Sequence, residues 1–419
     1  MDALRLDPNS PTWNAAIADI NARLHAGNNP TLLPNQFLQV VLPKLGGEVV
    51  WLHEGSREIG VGFLLPRGLG GNRNTAQRRA YTLRYHPLSE ADVPPQQVTT
   101  VMSEQLDGAE IHFYNPAAHQ TYQPSYREIG SVNIGRPTAE EAAQIPQLQQ
   151  EIWGSPPEFL YPADLHSVEF QLGTSLVARV DGQLAAFLLG FHKFDGPSLP
   201  ADWSANFHGE LRLESQALGV LPAFRGMRIA NLLKKVQAEE AWQARIGVVN
   251  WTADPLQFPN AALNFGLLRA LAFHFYPDFY PFRNALNRVP ASRFGLTWLV
   301  GSERAQNVPL TGARAVIVHL PQHPEIQRVN QGYTNLNFDA THSHIAIEIP
   351  ENWTLIQAEQ VEEAERWREA TDRLFSHYVG ATPGQYVITG VATDHDQHFL
   401  IGQRVDDALL AHLGQLQEG

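Results

Sequence analysis

The residues best suited to chemistry stand in one run, Leu218-Gly219-Val220-Leu221-Pro222-Ala223-Phe224-Arg225-Gly226-Met227-Arg228-Ile229-Ala230-Asn231. Extended apolar residues lead through a proline turn to a basic-glycine loop and then to a helical pattern, with Ile229, Leu232, Leu233 and Val236 at i, i+3, i+4 and i+7. A strand, loop and helix in that order make an anion site. The first backbone N–H groups of a helix lack an intrahelical acceptor and stand at the positive end of its dipole, so main-chain donors hold a pyrophosphate there. Arg225 and Arg228 add charge. A second glycine cluster, Gly68 to Gly71 followed by Asn72-Arg73-Asn74, lacks the helix and the Lys-Ser or Lys-Thr of a phosphate loop and reads as a surface loop.

Positioning that run requires a sheet on one side and a helix on the other. In residues 171–190 two alternating apolar runs flank Asp181-Gly182, a hairpin signal, and residues 210–220 are extended. A helix is expected over residues 228–242, a strand over 248–252 and a second helix over 260–273, which makes a β-α-β-α unit with adjacent parallel strands. Before it, the pattern predicts a helix near 13–24, an apolar run at 37–42 and a hairpin from 48 to 65. That hairpin parallels residues 176–190, either as a duplicated half-domain or as the ordinary likeness of any two hairpins. After it come strand patterns at 294–300, 315–320 and 344–349, then a long helix with Val361, Ala364, Trp367, Leu374, Phe375 and Tyr378 on its apolar face. A hairpin of 386–392 with 398–401 follows. The last part fits a third α+β unit or a lid completing the central sheet.

A chain of 419 residues exceeds the size of one hydrophobic core, so two or three units are expected. Apolar residues at 43% and a charged fraction of only 17% place it among globular proteins. A net charge of −13 leaves no general basic surface, which argues against nucleic acid as main partner. The absence of cysteine excludes disulfides, thiolate metal sites and a cysteine nucleophile. His342 and His344, like His395 and His398, show no metal spacing, and no metal is expected. The start of the chain lacks a basic n-region with an apolar run, and no stretch of about 18 apolar residues occurs, so a cytoplasmic protein without membrane contact is expected.

The run from Arg225 to Ala230 resembles the signature of the GNAT superfamily of acyl-CoA-dependent N-acyltransferases: Arg or Gln, two residues, Gly, one residue, then Gly or Ala. Arg225 opens it and Ala230 closes it, and Arg228 stands where the family has its middle glycine. A more extended resemblance, over residues 129–393, is to a poorly characterised branch of predicted acetyltransferases. It rests on Trp153-Gly154, Trp251-Thr252, Asp254-Pro255-Leu256, Asn260, Asn264, Tyr276-Pro277, Tyr280 and the Ile345 to Pro350 segment before the long helix.

The resemblance implies a mixed α/β (α+β) fold, a GNAT-type twisted mixed sheet flanked by helices with α+β segments at both ends. Residues 1–125 would be an N-terminal α+β domain, open to reading as a degenerate GNAT-like half, residues 126–290 the catalytic domain and residues 291–419 an extension completing or covering it. Acetyl-CoA or another acyl-CoA would be the co-substrate, bound by Leu218, Gly219, Val220 and Arg225 through Asn231, with Asn264 facing the pantetheine and Asn260 capping its helix. The implied reaction is acetyl or succinyl transfer to the amine of a small molecule, amino acids included. A homodimer is allowed but not required.

Amine acylation needs a proton acceptor, donors for the tetrahedral oxyanion and an acid for the departing sulfur. Glu214 is the base expected, with Glu169 and His208 behind it, against the plain reading of a solvated strand carboxylate. A backbone N–H near residues 218–220 is the oxyanion donor, supplied by the strand bulge the family carries. Tyr280, with Tyr276 second, is the expected acid on an aromatic turn after the 260–273 helix; a packing role for both is the alternative. Asp254 caps a turn or serves the site. Against the enzyme stand a catalytically inactive acyl-CoA-binding module, favoured by Arg228, and a non-enzymatic interaction protein, favoured only by the acidic surface.

Overall fold

Extended segments joined by short turns pair with their neighbours in sequence. β1 (Asp2–Arg5), β2 (Glu48–Glu54), β3 (Arg57–Gly70) and β4 (Arg78–Pro87) are antiparallel in that order, and β5 (Glu110–Tyr114) joins parallel to β4 after the helix Pro95–Gln105. The computed structural model describes residues 1–25, 31–70, 78–88, 93–118, 120–194, 196–207, 209–280 and 288–417. Two units emerge, one of residues 1–198 with 210–233 and one of residues 199–209 with 234–419. Both are mixed α/β, with sheets flanked by helices.

The first unit carries the β1–β5 sheet and a second antiparallel series. In order these are β6 (Arg127–Ile129), β7 (Val132–Gly135), β8 (Thr174–Val180), β9 (Gln183–Phe194) and β10 (Leu211–Val220). β2 reads as an unbroken apolar run because both its faces are buried: Val49 and Trp51 enter one core with Phe187, Leu189 and Phe191, while Val50 and Leu52 enter another with Leu83, Val98 and Met102. Asp181 and Gly182 turn β8 into β9 at φ 50° and 77°, the two left-handed residues that match the twist of the strands. The helix Ala139–Trp153 starts with a reciprocal cap between Thr138 and Glu141 and stops at Gly154, φ 64°. One expectation is corrected: Gly68 to Gly70 are not loop but the end of β3, paired with β4, because strand pairing outweighs their glycine content. Residues 71–74 lie outside the described residues.

In the second unit β11 (Val248–Ala253) is followed by the helix Phe258–Ala261, a wider-wound segment Ala262–Leu267, β12 (Leu271–Tyr280) and β13 (Ala291–Leu299). β14 (Ile317–His319), β15 (Gln327–Arg328), β16 (His344–Ile349), β17 (Tyr386–Asp394) and β18 (Gln397–Arg404) complete it. Their order is β11-β13-β12-β17-β18-β16-β15, with β14 parallel to β17. The helix expected over 260–273 therefore ends early. Arg269 adopts φ 63°, a left-handed stop, and Leu271 onward pairs with β13 instead. The long helix spans Val361–Tyr378 and buries Ala364, Trp367, Leu374, Phe375 and Tyr378, while Val361 is exposed. No helix among the described residues is long and apolar enough to cross a membrane.

Candidate functional site

β10 leads into the loop from a register set by β9. Leu218, Gly219 and Val220 pair regularly with Leu188, Phe187 and Ala186. The bulge lies earlier than residues 218–220: Ser215 faces Gly190 and Ala217 faces Leu189, leaving Gln216 as the extra residue, its amide donating to the Tyr161 hydroxyl at 2.9 Å. Gly219 is required for space, since a Cβ there would come within 2.7 Å of Ile152 and Phe187 side-chain atoms. Beyond β10 the Leu221 N–H donates to Ala185, Pro222–Phe224 form one 3₁₀ turn, and the chain opens into Arg225, Gly226, Met227 and Arg228, all exposed.

Two residues of that loop are left-handed, Gly226 at φ 88° and Arg228 at φ 59°. Nothing lies within 4 Å of a Cβ built on Gly226, so its constraint is conformational. Arg228 holds the left-handed course that a glycine adopts freely, at a cost of roughly 1–2 kcal/mol. The helix Ile229–Gln243 then begins, and its first bond runs from the Leu232 N–H to the Arg228 carbonyl at 3.2 Å. The N–H groups of Ile229, Ala230 and Asn231 thus precede any possible intrahelical acceptor. Ile229 and Asn231 are buried. The loop and these first helical residues all belong to the first unit.

The expected bases fare differently. Glu214 Oε2 is ion-paired to Lys193 Nζ at 2.7 Å, with both side chains largely buried, so its carboxylate is engaged by a cation from β9. Burial works against the charge of Glu169, yet the Ser167 hydroxyl at 2.5 Å and the Thr121 N–H at 3.0 Å bring it down to about 2. It is a satisfied loop carboxylate. His208 lies outside the described residues.

In the second unit Asn264 is buried in the wide-wound segment, its carbonyl accepting the Ala270 N–H at 2.9 Å. Asn260 is no cap. The helix starts at Phe258 after Gln257, and Asn260 sits exposed inside it. Tyr276 and Tyr280 are corrected too: both belong to β12, opposite Arg293 and Ala291, because the aromatic alternation satisfies a sheet rather than a turn. The Arg293 guanidinium lies 5.1 Å from the Tyr280 ring centre.

Asp254 anchors a cluster that the sequence did not reveal. Its Oδ1 accepts the Leu256 N–H at 3.0 Å, as a turn cap should, and both oxygens accept from Arg368 Nη2 at 3.0 and 2.9 Å. Trp353 Nε1 donates to Oδ2 at 3.0 Å and Arg293 stands at 3.5 Å. Burial would raise the carboxyl, but Arg368 and then Arg293 hold it below its ordinary value. A legible signal existed: Arg368 falls four residues after Ala364 on the buried face of its helix, where an arginine demands a partner. Asp372, one turn on, accepts the Ser292 hydroxyl at 2.6 Å, and burial pushes it up to about 6. Of the histidines singled out, His398 stacks on Phe258 at 3.8 Å and His395 pairs with Asp394 at 2.8 Å.

No protein-family model and no curated protein sequence matches the chain significantly. Among solved structures, it is similar to an acetyltransferase of the GNAT family from Streptococcus pneumoniae, at 12% identity over 41% of this chain and 99% of that one, TM-score 0.30. It is similar also to a polyamine N-acetyltransferase of Drosophila melanogaster, at 15% identity over 40% and 98%, TM-score 0.29. An IAA acetyltransferase of Bacillus cereus gives 17% identity over 40% and 98%, TM-score 0.29. Likeness at these identities and TM-scores assigns no activity.

Proposed function

We propose that the chain is an acyl-CoA-dependent N-acyltransferase of the GNAT kind, carrying an acetyl or succinyl group to the amine of a small molecule such as an amino acid. The observation that carries this reading is Arg228 at φ 59°: the backbone keeps a glycine-like course at the position where the sequence departs from the family signature. The loop therefore remains fit for a pyrophosphate, with main-chain N–H groups from Gly226 to Asn231 as donors and Arg225 and Arg228 as exposed cations. The bulge at Gln216 supports a main-chain oxyanion donor on β10. With Glu214 held by Lys193, the amine proton leaves through water, and Tyr280 remains the acid to test.

Residues 1–125 serve packing or amine selection in this reading. β4 and β5 pair without interruption from Ala80 opposite Glu110 to Arg84 opposite Tyr114, which leaves no free strand edge between them for a pantetheine. A second reading, an acyl-CoA-binding protein without turnover, is favoured by the Lys193–Glu214 pair, which removes the best-placed base.

Thermal melts with acetyl-CoA and succinyl-CoA test the binding common to both readings. A ligand at a hundred times its Kd stabilises the folded state by about 2.7 kcal/mol, so melting temperature should rise. Gly226→Asp, which brings a side chain and a negative charge into the loop, should abolish that rise in a protein that still melts cooperatively. No rise at millimolar thioester removes both readings. Thiol release with an amine panel then separates enzyme from binding module.

A further inference from the structure

Arg368 and Asp372 stand one turn apart on the helix Val361–Tyr378, and each has polar atoms left over. Arg368 is 2% exposed. Its Nη2 is spent on Asp254, whereas Nε and Nη1 have no hydrogen-bond partner among the described residues. Asp372 takes the Ser292 hydroxyl on Oδ2, and among the described residues no hydrogen bond reaches Oδ1. The gap from Arg368 Nη1 to Asp372 Oδ1 is 3.9 Å, too long for a hydrogen bond. Leaving a buried donor and a buried acceptor unsatisfied is costly, and native chains do so where something else completes them.

Both side chains line a wide-open cavity of about 910 Å³ in the second unit, walled also by Phe338, Glu365, Glu369 and Ser376. That volume suits a small molecule far better than a bridging water. Glu365 and Glu369 are exposed at its mouth. Arg373 and His377, also in the wall, are drawn to Phe338, Arg373 over its ring at 5.4 Å and His377 Nε2 at 2.8 Å from its carbonyl oxygen. A simple anion on Arg368 would face the carboxylates of Glu365, Glu369 and Asp372 in the same wall. A simple cation on those carboxylates would leave the guanidinium unsatisfied.

We propose that this cavity binds a small zwitterion with neighbouring carboxylate and ammonium groups, the carboxylate accepting from Arg368 and the ammonium donating to Asp372. Both leftover faces are then satisfied and the 3.9 Å gap is bridged from its two sides. The Asp372 side chain keeps 18% exposure, so its carboxylate borders the cavity while Oδ2 stays on the Ser292 hydroxyl. The ligand class is that of the acceptor amine proposed above, but none of these residues is among those assigned to acyl transfer and no thioester enters the test, so the two can fail separately.

Calorimetric titration of the full chain with the free amino acids, followed by the N-acetyl and the amide derivative of the best binder, is the experiment. Saturable binding of at least one amino acid is expected, weakened about tenfold or more in both derivatives. Asp372→Asn should weaken it similarly. Ser376→Trp, a change at an exposed position, should block the mouth without altering the melting temperature, and it serves should the first variant fail to fold. Absence of binding by every amino acid overturns the proposal. So does equal binding of a derivative lacking either charge, or undiminished affinity in Ser376→Trp.

Discussion

Arg228 concentrates the question of whether side chain or backbone makes the anion site. Arg228→Gly removes left-handed strain of roughly 1–2 kcal/mol and adds unfolded-chain entropy of about half that, so stability should rise by up to about 1 kcal/mol in denaturant titration. Acetyl-CoA affinity should fall by less than tenfold, since the main-chain donors stay in place. A larger loss would assign binding to the guanidinium. Tyr280 poses the second test at this scale. As the proton donor to the departing thiolate, its change to Phe should lower turnover by about 10²-fold with thioester affinity unchanged, while Tyr276→Phe is nearly silent. Full turnover in both variants would remove tyrosine from the mechanism.

Between elements, the Asp254 cluster ties the turn after β11 to the long helix across 114 residues of sequence. Removing one partner of a buried ion pair leaves the other charge uncompensated, so Asp254→Ala should cost about 3–5 kcal/mol in urea unfolding. Loss of less than 1 kcal/mol would mean that Arg368 finds another acceptor. Asp372 makes the same helix pH-sensitive. Burial raises its carboxyl to about 6 from 3.8, with Asp254 and Asp278 adding to the effect and Ser292 and Arg368 opposing it. A raised acid favours the protonated folded state, so its contribution is full below about pH 4 and is lost as pH climbs through about 6. Asn does not titrate. The stability of Asp372→Asn relative to the parent should therefore improve between pH 4 and 6, by on the order of 2–3 kcal/mol. A flat difference across that window would show that the carboxyl titrates normally.

Across the whole molecule, the charge of −13 repels polyanions, and the cations of the Arg225–Arg228 loop are too few to reverse that for a long phosphate backbone. Gel-shift titration with duplex DNA or RNA at physiological salt should show no complex at micromolar protein. A complex that dissolves with salt would require a basic surface not accounted for by composition.

Local signals sufficed for much of this chain. The Asp181-Gly182 hairpin, the basic-glycine loop, the helix at 229–243, the strand at 344–349 and the helix at 361–378 depend on turn chemistry and periodicity within a few residues, which a sequence carries openly. Tertiary structure alone decided the rest. Residues 271–280 became a strand through pairing with β13, Glu214 lost its freedom to Lys193 on the neighbouring strand, and Arg368 met Asp254 across the unit. Each outcome turns on a partner distant in sequence. The left-handed Arg228 belongs with them: its side chain argues against that backbone, and only the chain leaving β10 and the helix starting at Ile229 hold it there.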